Sequence, residues 1–219
     1  MKNKRRLYKK KSKIFSILEN HINQNIKEYA ISLLIFFIGI IIGVVLVNSS
    51  TAENKENITG YINEFIGAIK NKEYSIDGNK LLIKSIVSNL KLAVIIWVAG
   101  STIIGIPIIY ASVGYKGVCV GYTVSAIIAT LGKSKGIIFS ISTLLLQNIV
   151  AIPCILALTV SSIKMYKNVM KERKKENIKA EICRHTLFSL IMTIGLIIAS
   201  FIEYLFTTVF FCDVIINFM

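Results

Sequence analysis

Apolar and polar positions separate into long blocks along this chain. Residues 31–47, 92–113, 118–131, 137–163 and 187–211 are almost wholly apolar. About 20 apolar residues, with a range of roughly 17 to 25, cross a bilayer core as a helix. Each block therefore reads as a candidate span, and residues 118–131 are the shortest. A different period runs through "NITGYINEFIGAIK", where Ile58, Tyr61, Ile62, Phe65, Ile66 and Ile69 recur at helical spacing. That is one apolar stripe on an otherwise polar helix. The pattern predicts an all-α polytopic integral membrane protein, with about five transmembrane helices and one amphipathic helix outside the membrane.

Composition agrees. The 219 residues are 54% hydrophobic with a mean hydropathy of +0.65, beyond the range of ordinary soluble domains. The net charge of +14 is unevenly spread. Eight Lys and Arg residues lie in "MKNKRRLYKKKSK" and eight more between Lys164 and Arg184, whereas residues 48–84 carry five lysines against five acids. Basic blocks beside apolar spans are retained in the cytoplasm and attract anionic headgroups of the lipid bilayer. Few aromatic or base-reading partners are interleaved with them (Tyr8 and Tyr166 alone), which argues against a nucleic-acid role.

Charge also orders the chain. Residues 1–30 form a basic cytoplasmic segment, and 31–47 a first transmembrane helix that acts as an uncleaved signal anchor. Residues 48–88 form an extracytoplasmic region holding the amphipathic helix. Residues 89–219 form a four-helix membrane bundle with a cytoplasmic basic loop at 164–185. In this reading the second span turns at residues 114–116, the third exits at the short turn "GKSKG", and the C-terminus lies outside. Were 118–131 not to cross, the second basic block would face outward.

Seven of the thirteen glycines fall between Gly100 and Gly136. Helices in lipid associate through close backbone approach, which small residues allow. Gly114, Gly117 and Gly121, with Gly100 and Gly105, are therefore expected to pack helices, the first three in a hairpin between the second and third spans. Pro107 and Pro153 are expected to kink their helices. Gln147 and Asn148 need partners inside the membrane, as interhelical bonds or as part of a polar pathway. Glu203 is either at the outer interface or facing the bundle. The stripe of Tyr61, Ile62, Phe65, Ile66 and Ile69 has three open uses: lying on the outer interface, receiving a partner helix, or packing on the protein's own loops.

No catalytic set, metal site or cofactor motif is expected. Cys119, Cys154, Cys183 and Cys212 have no disulfide or metal spacing. His21 and His185 read as interface residues, and no HExxH, Walker or GxSxG motif occurs.

Three stretches in order, "NLKLAVIIWVAGSTIIGIP", "YKGVCVGYTV" and "LLQNIVAIP", resemble the stage II sporulation protein M family of endospore-forming bacteria. In the wider family the last stretch often reads HGxxExP. Gln147, Asn148, Ala151 and Pro153 stand at those positions, so the motif has no protonatable group here, which suits a scaffold better than a transporter. The resemblance implies a non-enzymatic scaffold of the engulfment complex in the mother-cell membrane at the sporulation septum. It implies recruitment of two peptidoglycan-remodelling partners, the stage II sporulation D and P proteins. A small permease or permease subunit is the alternative.

Overall fold

The computed structural model describes residues 22–70, 78–102, 104–141, 146–171 and 175–205. In chain order the elements are α1 (Ile26–Asn48), α2 (Ala52–Lys70), α3 (Gly78–Ala99), α4 (Gly105–Leu131), α5 (Lys133–Ser140), α6 (Leu146–Lys171) and α7 (Lys175–Leu205). The fold is all-α, and α1, α3, α4, α6 and α7 are each long and apolar enough to cross a membrane.

Among the described residues the candidate spans number five, but their limits differ from the expected ones in three places. Residues 114–116 are not a turn. "GIPIIYASVGYKGVCVGY" is one uninterrupted stretch of α4, and the chain reverses at residues 100–104 instead. There the amides of Ser101 and Thr102 bond back to Val98 and Ala99, and Thr102 Oγ1 donates to the Ala99 carbonyl at 3.0 Å. Gly105 closes the turn so tightly that a side chain on it would strike the Ala99 carbonyl. Pro107 falls in the first turn of α4, where its missing N–H costs no intrahelical bond. It opens the helix rather than bending one.

The span before this turn starts at Asn79, well ahead of Leu92. Its lysines (80, 84 and 91) disguise it as a loop in a hydropathy reading. The expected span 137–163 is likewise divided. Gly132, at φ +79°, makes the turn after α4, and α5 then runs back along it, with Gly136 set against the backbone of Ile128. Helix α6 begins only at Leu146 and contains Pro153 in its interior.

Helix α6 is the centre of the bundle, with 56% of its span window buried. Its Ala151, Ile155, Leu158 and Ile163 pack with Ile96 of α3, Ile109 and Val113 of α4 and Leu196 of α7. Helix α1 lies along α4, burying Ser32, Phe36, Gly39, Gly43 and Val47, a single face at three- and four-residue spacing. Lys164 and Arg184, with the 100–104 turn, mark one end of the bundle, called here the basic end. Gly132, Gln147 and Glu203 mark the far end.

Candidate functional site

The far end holds a polar cluster built from three spans. Ser85 and Asn89 stand one turn apart on α3, and Ser200 and Glu203 are three residues apart on α7, so each pair shares a helix face. Gln147 opens α6. Ser85 Oγ donates to Glu203 Oε2 and lies 3.0 Å from Ser200 Oγ. Asn89 Nδ2 donates to Ser200 Oγ at 2.9 Å, and Gln147 Nε2 reaches Ser85 Oγ at 3.5 Å. Asn89, Gln147, Asn148 and Ser200 are buried. Glu203 thus faces the bundle. Its charge reaches Lys116, half-buried in the middle of α4. Charged side chains within spans are therefore more numerous than the apolar blocks suggested.

A second network sits at the basic end. His185 is 4% exposed, with Nδ1 2.9 Å from Ser161 Oγ. It is a core residue, contrary to the interface position expected from its place in the sequence. Trp97 Nε1 donates to Thr186 Oγ1 at 3.3 Å, and Lys167 pairs with Glu28 at 2.7 Å, tying α6 to α1.

The glycines bind α1 to α4. A side chain on Gly117 or Gly121 would strike the carbonyl oxygens of Phe36 or Ile40, and one on Gly39 or Gly43 those of Gly114 or Val118. The partner of Gly117 and Gly121 is therefore the first helix, not the neighbouring arm of a hairpin. Gly100 faces Ser162 of α6. Gly39 and Gly43 escaped the sequence reading, although "GIIIG" has the same spacing as "GVCVG".

On α2, Tyr61 is 81% exposed and Ile62 is half-buried. The side chains of Phe65, Ile66 and Ile69 lie outside the described residues, as do His21 and Cys212. Among the described residues, no three His, Cys, Asp or Glu side chains come together.

Neither a curated protein nor a solved structure matches the chain. A family model does: Stage II sporulation protein M matches residues 32–208, from the second turn of α1 to just beyond α7. With five helices able to span a membrane and this match over most of its length, the chain belongs to the stage II sporulation protein M family and is a sporulation-related membrane protein.

Proposed function

We propose that the protein is a non-enzymatic membrane scaffold that holds peptidoglycan-remodelling enzymes at the sporulation septum during engulfment. The supporting observation is where the polar groups of its spans are directed. Ser85 to Glu203, Asn89 to Ser200 and Ser161 to His185 each bridge one helix to another. Polar atoms used this way hold a bundle in one arrangement, which suits a platform. In this reading both basic blocks are cytoplasmic, and the far end with α2 faces the wall. The stage II sporulation D and P proteins are the partners, and the apolar stripe of α2 is the soluble surface they meet. The mother-cell membrane is the site of action.

The test is a Phe65→Asp and Ile69→Asp double variant in sporulating cells. It should insert and accumulate normally, because no span is altered, while tagged wall hydrolases lose their septal position. Normal hydrolase localisation with a stable variant would remove α2 from the reading.

A permease subunit is the second reading, favoured by Lys116 and Glu203 lying within spans. Purification from sporulating cells separates the two, with wall hydrolases retained for one and an ATPase or substrate-dependent flux for the other.

A further inference from the structure

Lys91 stands in the middle of a candidate span, twelve residues from Asn79 and eight from Ala99. It is exposed, as are Ser88 and Lys84 three and seven residues earlier. Those spacings place the three on one helix face. It is not the face that enters the bundle, which Asn89, Ala93 and Ile96 occupy. Lys84 is less than two turns inside the far end and can lift its ammonium to the surface. Lys91 is more than two turns from either end and has no such escape.

No described acid compensates it. Glu28 pairs with Lys167, Glu181 with Arg184, and Glu203 bonds Ser85 and acts on Lys116. Beside this face α3 and α7 enclose a groove of about 310 Å³, lined by Leu90, Val94 and Trp97 from one helix and Thr186, Leu190 and Thr193 from the other. Ser189 also lines it, 5% exposed, with a hydroxyl that has no partner. An uncompensated ammonium and a groove with an unused hydroxyl thus adjoin each other on one side of the bundle.

We propose that this side, centred on Lys91, receives a transmembrane helix of a second protein that carries an Asp or Glu at mid-membrane depth. Charge complementarity selects the occupant. A second copy of this chain does not fit, because its described span acids are already engaged: Glu28 with Lys167, Glu181 with Arg184 and Glu203 with Ser85. A lipid headgroup does not fit either, since it stays at the surface, more than two turns from Lys91. The groove supplies apolar contact for a helix, and Ser189 supplies a hydrogen bond of the kind that joins helices in lipid. The proposal is independent of wall-enzyme recruitment, because it concerns a contact inside the bilayer with any partner of this chemistry.

The experiment reconstitutes the full-length protein in phosphatidylcholine vesicles. Energy transfer then measures its association with synthetic Leu-rich helices of about 21 residues carrying Glu or Gln at the centre. The Glu helix should associate about tenfold more tightly, the margin of a charge-assisted contact. Lys91→Leu should remove that preference, and Lys91→Arg should retain it. Val94→Trp, which fills the groove, should weaken both helices. Equal association of the Glu and Gln helices overturns the proposal. So does a Glu preference that survives Lys91→Leu, or one that is lost instead in Lys116→Leu. Self-association of the wild-type protein that Lys91→Leu abolishes would make the occupant a second copy and overturn it too. An unchanged melting temperature for Lys91→Leu shows that its result reports docking.

Discussion

A side chain at Gly117 would collide with the carbonyl oxygen of Phe36, and one at Gly43 with that of Val118. Helices α1 and α4 therefore meet backbone to backbone, with glycine contributed from both sides. Lipid gives little reward for hiding apolar surface between helices, so van der Waals contact at this range is what binds the pair.

The first prediction contrasts two neighbouring glycines. Gly117→Ala should cost about 2 kcal/mol, as overpacking of a tight contact does. Gly114→Ala should be nearly neutral, since a Cβ there meets only Ile35 Cγ2 at 3.5 Å. Thermal unfolding in detergent reads both. Equal melting temperatures would mean that the α1–α4 contact is looser than described.

The second concerns the far-end cluster. Glu203→Gln removes the acid that acts on Lys116 and should destabilise by about 1–2 kcal/mol, less than a fully buried pair because Glu203 is partly exposed. Adding Lys116→Met should recover most of that loss. A double-mutant cycle measures the coupling, and strictly additive effects would show that the two charges do not interact.

The third tests the path of the chain. In a cysteine-free background, Ser101→Cys and Lys175→Cys should be labelled from the same side of the membrane, and Lys133→Cys from the other. Lys116→Cys should resist labelling from both, because it sits inside α4. Ready labelling at position 116 would restore the turn that the glycines first suggested.

The fourth separates two faces of α2. Tyr61→Asp alters a side chain that is 81% exposed and should leave expression and melting unchanged while reducing hydrolase recruitment. Ile62→Asp, at a half-buried position, should lower stability itself. If Tyr61→Asp leaves recruitment intact, its ring is not part of the contact.

The helical class and the five spans were legible because apolar blocks of membrane length are a direct imprint of bilayer thickness. Boundaries were less so. Lys91 and Lys116 look like loop markers to a hydropathy reading, yet both sit inside helices, one half-buried near an acid and the other exposed. The real turn at residues 100–104 is hidden by Ile103 and Ile104, which keep the local average apolar, while Gly105 and the Thr102 hydroxyl close it. Gln147 and Glu203 were visible as costly residues. Their meeting with Ser85 was not, because serines occur throughout such spans and pairing across 62 and 118 residues leaves no local pattern.

The union of α1 with α4 has a consequence for how the protein is made. Gly39 and Gly117 are 78 residues apart in the chain, so at roughly 5–20 residues per second the ribosome needs on the order of 4–15 s to deliver the second after the first. Through that interval the first helix waits in the lipid with its glycine face uncovered, while α3 passes through the insertion machinery beside it. Biogenesis therefore contains a window in which any other helix with small residues competes for that face. Slowing translation between α2 and α4 would lengthen the window, and the membrane proteases that survey unassembled helices would have more time to act.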